Sequence, residues 1–240
     1  MVLIFAVTNY NSRPFKNRDG RGFKDLTMAT SEFKRFIESL ASEKAPGPST
    51  TFSMFHIFFA LELVAQKPIG RNKLAEKMNV GEGAIRTIIS RLKEADLVVA
   101  RKEGCTLTEK GKAVWKKFEG LFPVRVEVEK NALASSEHNY AFLVRNSGHK
   151  ISSGIEQRDA AIMGGAERAI AIVCKNGHLS IDSVSSSIEK EFPEASKKIL
   201  GNIKPEENDV IIIAGADTMV RAKRGAFAAA WVLIGKGPKN

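Results

Sequence analysis

A chain of 240 residues with 43% hydrophobic side chains is long enough for one large domain or two ordinary ones, and its composition excludes a wholly disordered protein. The formal net charge of +10 and the sequence pI of about 9.6 favour a polyanionic partner, either nucleic acid or an acidic membrane face. The longest apolar stretch, residues 225–235, covers about half of a membrane span, so no transmembrane helix is expected.

The positive charge is concentrated in the middle of the chain. Residues 48–122 hold 13 Lys and Arg against 8 Asp and Glu, whereas residues 123–240 hold 16 against 14. The net charges of these two segments are therefore +5 and +2. A polyanion is expected to bind the middle segment, because its density of positive charge is higher.

Residues 1–47 are predicted to form an N-terminal tail and a short helix. Residues 9–24 are polar without any period, which leaves three interpretations: a disordered tail, a translation start at Met28, or a basic arm that contacts DNA phosphates. The segment 31–40 predicts an amphipathic helix, because four apolar side chains share one face: Phe33, Phe36, Ile37 and Leu40. The sequence Ala45-Pro-Gly-Pro-Ser49 then breaks the chain.

Residues 48–122 predict a domain in the order helix, helix, tight turn, helix, two strands, helix. The predicted helices run from Thr51 or Ser53 to about Gln66, Arg71 to Met78, Glu82 to Ala95, and Glu109 to Phe118. The predicted strands are Leu97 to Ala100 and Cys105 to Leu107, on either side of an Arg101-Lys102-Glu103-Gly104 turn. Asn79-Val80-Gly81 forms the tight turn, Thr108 caps the last helix, and Gly120 ends it.

The third of these helices carries the predicted DNA-contacting residues. Its apolar stripe packs against that of the preceding helix, which leaves a polar face outward. A helix in the major groove presents its N-terminal residues to base edges, so Glu82, Arg86 and Thr87 are expected to contact bases. The remaining predicted DNA contacts are Ser90, Arg91 and Lys93 toward phosphates, Arg101 and Lys102 at the hairpin tip, and Arg71 at the start of the preceding helix.

This region resembles the winged-helix regulators, a broad class that includes the MarR and DtxR groups. The resemblance is carried by Ile69-Gly-Arg-Asn-Lys-Leu-Ala-Glu-Lys-Met78, Gly83-Ala-Ile-Arg-Thr-Ile-Ile-Ser-Arg-Leu92 and Leu107-Thr-Glu-Lys-Gly111. It implies a winged helix-turn-helix fold that binds DNA. Asp96 stands where many such domains have Gly, at a position that often needs a left-handed backbone, which Asp tolerates better than most residues. The whole chain also resembles archaeal winged-helix proteins that carry a C-terminal domain of unknown function.

The helix that ends near Gln66 is apolar around most of its circumference, which is typical of a buried helix. The helix at 31–40, the C-terminal domain or a second subunit could cover it. We favour a homodimer, because two-fold symmetry also matches paired half-sites on DNA. His56 in this helix is interpreted as a core or interface residue rather than a ligand.

Residues 123–240 predict a C-terminal α/β domain that binds an effector or mediates assembly. Strands are predicted at 124–128, 140–144, 169–174, 179–181 and 210–214, and helices at 184–200, with Pro193 as a candidate interruption, and at 219–234. The whole chain is therefore assigned to the α+β class, a winged helix-turn-helix domain followed by a small α/β sandwich-type domain. The strand order is left open.

Three residues of this C-terminal domain are candidate ligand contacts. Arg158 and Asp159 could bind a small anion and a polar group, or could pair with each other. Asp217 follows a buried strand, where ligand contacts are common, but it could equally cap the closing helix. Phosphate-loop and catalytic patterns were not found, and Cys174 with His178 is only a weak metal pattern. No metal or catalytic site is assigned, and the cofactor is left unknown.

Together these features predict a dimeric, sequence-specific transcription regulator that binds double-stranded DNA and is not an enzyme. The two cysteines are far apart in sequence without a C-x-x-C motif, which favours reduced thiols and a cytoplasmic location. Two alternatives stay open. The first is a nucleic-acid-processing enzyme that uses the C-terminal polar residues, and the second is a winged-helix module that binds another protein.

Overall fold

The computed structural model describes residues 29–42, 52–182 and 184–235. The predicted tail at 1–27 and the break at 45–49 lie outside the described residues. The N-terminal part contains helices α1 (Thr30–Ala41), α2 (Met54–Gln66), α3 (Arg71–Met78), α4 (Glu82–Glu94) and α5 (Glu109–Leu121), and strands β1 (Val98–Arg101) and β2 (Gly104–Leu107).

The C-terminal part contains strands β3 (Arg125–Glu127), β4 (His138–Val144), β5 (Arg168–Lys175), β6 (His178–Ser180) and β7 (Val210–Ala216). Its helices are α6 (Ile155–Met163), α7 (Ile188–Glu191), α8 (Pro193–Asn202) and α9 (Met219–Val232). The chain is thus mixed helix and sheet, and the predicted α+β class is confirmed.

Helices α2 to α4, the β1–β2 hairpin and α5 have the arrangement of a winged helix-turn-helix fold. The turn between α3 and α4 begins at Asn79 in the left-handed conformation, with φ 51°. Asp96 is also left-handed, with φ 57°, as predicted for the position that follows α4. Ile69 exchanges two backbone hydrogen bonds with Cys105, which attaches the segment before α3 to the hairpin.

The step from β2 to α5 explains the Leu107–Gly111 motif. The Thr108 hydroxyl donates to the Asp96 carbonyl at 2.6 Å and accepts from the Gly111 N–H at 2.9 Å, which caps α5 as predicted. A Cβ atom at Gly111 would lie only 2.0 Å from the Leu97 carbonyl oxygen. Glycine is therefore required there, because the start of α5 packs directly on the backbone that follows α4.

The C-terminal strands form one sheet in the order β3-β4-β7-β5-β6, and every neighbouring pair is antiparallel. Every residue of the central strand β7 is buried, because helices cover both faces of the sheet. Ile212 and Ala214 pack with α9 and the helices of the N-terminal part, whereas Ile211 and Ile213 pack with α7 and α8. Alternate residues of one strand therefore serve two different cores.

One aromatic cluster joins the N-terminal and C-terminal parts. Phe58 of α2 stacks on Phe227 of α9 with ring centroids 4.6 Å apart and lies 5.9 Å from Phe142 of β4. Phe118 of α5 lies 5.9 Å from Trp231 of α9. The hydrophobic core is therefore continuous across residue 122, and the division into domains at 48–122 and 123–240 stays a prediction.

One local prediction is wrong and another is confirmed. Gly120 does not end α5, which continues to Leu121. The helical pattern of residues 184–200 is interrupted at Pro193 as predicted: it forms α7 and α8, and Pro193 is the first residue of α8, where a missing N–H costs nothing. Helix α6 was not predicted, because its apolar residues do not form one stripe.

Helix α2 is buried by its own chain. All residues from Phe55 to Val64 are buried, and the cover comes from α1, α3, α4, α5 and α9. Of the three covers predicted for α2, the helix at 31–40 and the C-terminal part are the two that the structure shows, and the homodimer stays a prediction. None of the helices within the described ranges has both the length and the apolarity to span a membrane.

Candidate nucleic-acid interface

Packing of α3 against α4 fixes which side chains face outward. Leu74 and Met78 of α3 and Ile85, Ile88 and Leu92 of α4 are each only 1% exposed, so the two stripes predicted from the sequence form the contact. The opposite face of α4 is exposed along its length and carries Glu82, Gly83, Arg86, Thr87, Ser90 and Lys93. Hydrophobic burial therefore presents the predicted DNA-contacting residues to solvent.

The structure brings Arg71 together with Arg86. Both line one shallow cleft between α3 and α4, together with Asn72, Glu82 and Ile85. The two guanidinium groups come from different helices, yet they border the same opening. This arrangement can meet a phosphate and a base edge at once, because guanidinium donates hydrogen bonds to both.

A second opening lies between α3 and the hairpin formed by β1 and β2, which we call the wing. Lys67, Arg71, Lys73 and Lys77 line it from the α3 side, and Glu103 lines it from the wing. The three lysines, at 67, 73 and 77, were missed from sequence. Lys73 and Lys77 lie outside the apolar stripe of α3, so the same periodicity could have identified them as exposed. Lys67 lies before α3, at the end of α2.

Polar side chains of α4 are held by local contacts. Arg86 pairs with Glu82 at 3.5 Å, the Thr87 hydroxyl donates to the Gly83 carbonyl at 3.1 Å, and the Ser90 hydroxyl donates to Glu94 at 3.0 Å. The Arg86 and Glu82 side chains are 69% and 72% exposed, so their pairing contributes little to stability. Arg86 can therefore exchange this partner for another anion at low cost.

Arg91 is a correction to the predicted site. It is 7% exposed, and its Nη1 donates to the carbonyl oxygens of Leu40 at 2.9 Å and Ser42 at 2.6 Å. Its guanidinium also lies 4.9 Å from the ring centre of Phe52. Arg91 therefore binds the C-terminal end of α1 to α4 and does not reach a phosphate.

Lys93, Arg101 and Lys102 are exposed, as their predicted role requires. Burial raises the pKa of the Cys105 thiol, and the positive charges of Arg71 and Lys93 oppose that rise. Both cations therefore lie close enough to β2 to influence a thiol near the turn of the wing. The tip residues Arg101 and Lys102 extend the same positively charged surface beyond α3 and α4.

The three candidate ligand contacts of the C-terminal part form separate ion pairs. Arg158 and Asp159 are exposed and pair with each other at 3.2 Å. Asp217 pairs with Arg221 at 2.6 Å and does not cap α9, whose N-cap is Thr218, so the capping interpretation is wrong. No contact within the described residues joins Asp217 to Arg158 or Asp159, and no shared ligand site is formed.

Metal-binding patterns have no counterpart in the described part of the chain. No three His, Cys, Asp or Glu side chains of those residues are grouped so that they could hold a metal ion. His56 is buried, and its Nδ1 accepts from the Ser53 N–H at 2.9 Å at the start of α2. This contact agrees with its interpretation as a core histidine, and burial together with Arg224 lowers its pKa.

A buried ionic cluster lies behind the interface, between α2 and the sheet. Glu62 of α2 accepts from Arg125 of β3 at 3.2 Å and from Lys223 of α9, and all three side chains are at most 15% exposed. Lys223 also lies 4.3 Å from the ring centre of Phe59, and burial lowers its pKa against the opposing charge of Glu62. This cluster was missed, although an acid in an otherwise apolar helix signals a buried partner.

Helix α1 contacts α9 as well as α4. The Trp231 indole N–H donates to Glu38 at 3.1 Å, and the Lys34 ammonium lies 3.5 Å from the Trp231 carbonyl oxygen. Phe33 of α1 packs between these contacts and Phe118, at 5.0 Å between ring centres. A single short helix thus links α4 to the C-terminal helix α9.

Comparisons with known proteins match both parts of the chain. Residues 57–113 match the N-terminal domain model of PH0730-like proteins, and residues 135–233 match a domain of unknown function, DUF4443. Among solved structures, the chain is similar to the hypothetical protein PH0730 from the archaeon Pyrococcus horikoshii OT3. That match has 27% sequence identity and a TM-score of 0.63, and it covers 76% of this chain and 92% of that one.

None of the curated proteins matches the chain. The names of the matching families and of the Pyrococcus protein state no ligand and no reaction.

Proposed function

We propose that this protein is a sequence-specific regulator of transcription that binds double-stranded DNA through α3, α4 and the wing. One observation carries the proposal: Arg71 of α3 and Arg86 of α4 line a common cleft on the exposed face of a helix-turn-helix pair. In this fold the second helix of the pair enters the major groove, which places Glu82, Arg86 and Thr87 toward base edges.

The surrounding charges support a duplex as the ligand. Lys73 and Lys77 lie on α3, Lys67 lies just before it, and Arg101 and Lys102 occupy the wing tip, so cations lie on both sides of α4. Phosphates of the two strands border the major groove and are met by such flanking cations. A protein partner would be a poorer match, because the core of a protein interface is depleted of lysine.

The expected complex is a homodimer on paired half-sites. The proposal assigns no catalytic role to Arg158, Asp159 and Asp217, since each forms an ion pair within the C-terminal part. That part is proposed to sense a small molecule or to mediate assembly. Helices cover both faces of its sheet, so a small molecule or a second copy would bind at the edges of the sheet rather than on its faces.

The test is selection of genomic duplex fragments by the purified protein at about 150 mM salt, since affinity for DNA depends steeply on salt. A palindromic motif with half-sites about one helical turn apart is expected. If no motif is recovered and binding disappears as salt rises, the winged part binds DNA without sequence specificity. If the protein binds no duplex at all, the alternative of a winged-helix module that binds another protein is favoured.

A charge-reversal pair separates a specific face from general attraction. Arg86→Glu is expected to abolish binding to the selected duplex. Lys198→Glu makes the same charge reversal on α8, where Lys198 forms an exposed ion pair with Glu129 at 3.5 Å. This variant should bind the duplex nearly as well as wild type. Equal losses for both variants would show that net charge, rather than the α4 face, drives the association.

A further inference from the structure

Helix α6 presents apolar side chains to solvent. Of the large hydrophobic residues that are exposed within the described residues, three belong to this helix: Ile155 at 52%, Ile162 at 44% and Met163 at 90%. Positions seven and eight residues apart lie on the same side of a helix, so these side chains form one patch with Asp159 between them. A surface helix normally carries polar residues there, and an exposed apolar cluster indicates an interaction site.

The other side of α6 is already packed and cannot take up the patch. Gln157 and Ala161 are buried, and α6 ends where the chain approaches α9 closely. A Cβ atom added at Gly225 of α9 would lie 2.5 Å from the Cβ of Ala166, just beyond α6. Rotation of α6 to bury Ile155 and Met163 would disturb this close approach, so both side chains stay exposed in the single chain.

The charge of α6 favours a second copy of the chain as the molecule that covers this patch. The chain carries a net charge of +10, so two copies repel each other wherever their surfaces are basic. Helix α6 is different, because Glu156, Arg158 and Asp159 give it a net charge of −1. DNA has no attraction to this face, whereas a second copy can approach here and still leave its basic α3–α4 surface free.

We propose that the exposed face of α6, formed by Ile155, Asp159, Ile162 and Met163, is the surface through which two copies associate. This inference rests on the proposed function and names the surface that pairs the two DNA-binding units. In a two-fold dimer the same patch serves both copies, so an apolar cluster meets itself. The Arg158–Asp159 pair beside the patch lets each charge meet its opposite across the interface.

The size of the patch sets the strength of the dimer. A stable interface buries roughly 800 Å² on each partner, more than the nine residues of α6 provide alone. The free protein is therefore expected to dimerise weakly. Two half-sites on one duplex hold two copies close together, and this raises the effective concentration at which the patches meet.

Sedimentation of the full chain without DNA tests the surface directly. Wild type should show a concentration-dependent monomer–dimer equilibrium. Ile155→Lys/Met163→Lys should weaken dimerisation by about 100-fold, because both ammonium groups would lose water in the interface without gaining a partner. Val184→Lys is the matched control, since Val184 is 70% exposed outside α6, and it should dimerise as wild type does. A monomeric wild type, or equal dimerisation of all three proteins, would overturn the proposal.

Cross-linking gives a second measurement that tolerates a weak dimer. The chain has two cysteines, Cys105 and Cys174, and both are buried. Asp159→Cys should therefore form a disulfide-linked dimer under mild oxidation, much faster than Val184→Cys. Equal rates would mean random collision and would refute the α6 surface. Neither experiment contains DNA. A negative result would therefore refute the α6 dimer surface without contradicting the proposal that single copies bind duplex DNA, and the two proposals can be judged separately.

Discussion

Two glutamates of the winged part, Glu82 and Glu62, form ion pairs in very different surroundings. Glu82 of α4 meets Arg86 with both side chains about seven-tenths exposed, whereas Glu62 of α2 meets Arg125 and Lys223 with all three at most 15% exposed. The exposed pair is weak and can be exchanged for a ligand. The buried pairs cannot be opened without leaving a charge in a low-dielectric environment.

The comparison teaches that cations of this basic chain fall into two groups with separate tasks. Apart from Arg91, the cations on α3, α4 and the wing are exposed, and these are the ones proposed to contact DNA. Arg91 is buried, Arg125 and Lys223 are at most 15% exposed, and all three hold elements of the fold together. Substitutions that disturb one task and spare the other are the sharpest way to examine this division.

The largest effect is expected from Glu62→Gln. This change leaves Arg125 and Lys223 buried without a carboxylate, so the free energy of unfolding should fall by about 3–5 kcal/mol. Urea denaturation followed by circular dichroism measures it. Glu82→Gln is the matched exposed control and should change stability by less than about 0.5 kcal/mol. Similar losses for the two variants would erase the distinction between the two ion pairs.

Arg91→Ala is expected to act on stability in spite of its place on the recognition helix. It removes two charged hydrogen bonds to the carbonyls of Leu40 and Ser42, at a cost of about 2–3 kcal/mol. The folded protein should still bind the selected duplex with unchanged affinity. A large loss of DNA affinity with normal stability would instead return Arg91 to the interface.

Arg86→Ala should give the opposite result. Its loss weakens binding to the preferred duplex by about 1–3 kcal/mol and relaxes the choice of base at one position of the motif. Stability should stay the same, because the Arg86 side chain is exposed. Fluorescence anisotropy with matched and singly changed duplexes is the measurement. Uniform weakening across all sequences would mean that Arg86 contacts phosphate only.

The smallest effect concerns pH. Burial, with a further contribution from Arg224, lowers the pKa of His56, so the folded protein resists protonation that the unfolded chain accepts. Stability from this residue is therefore present above the unfolded pKa of about 6.5 and is lost as pH falls below it, by at most about 1.4 kcal/mol per pH unit. His56→Gln keeps an acceptor for the Ser53 N–H and should flatten the dependence between about pH 7 and 5. If the pH dependence of stability is the same in this variant, a group other than His56 causes it.

Sequence periodicity predicted the winged part closely, because the stripes of α3 and α4 depend on contacts between nearby segments. The bounds of α3 match the predicted residues 71–78, and the left-handed backbone at Asp96 agrees with its predicted place after α4. Such local signals come from short-range sterics and from one helix packing on the next.

Long-range contacts account for what could not be predicted. Arg91 occupies a position that suits a phosphate contact, but its partners are Leu40 and Ser42, about fifty residues away. The Glu62 cluster and the order of the sheet strands likewise depend on segments far apart in sequence. Helix α6 escaped prediction for another reason: both of its sides carry apolar residues, so no single stripe marks it.

The aromatic cluster shared by α2, α5, β4 and α9 has a consequence for how such proteins can be recombined. Phe58, Phe118, Phe142, Phe227 and Trp231 come from both parts of the chain and are buried against one another. Excision of the winged part alone would expose several large rings, so we expect the fragment 52–122 to aggregate. A fusion of this winged part to an unrelated domain would need other residues at positions 58 and 118, because Phe58 and Phe118 would lose the rings they pack against. We therefore expect the winged part and the C-terminal part to be inherited together in evolution.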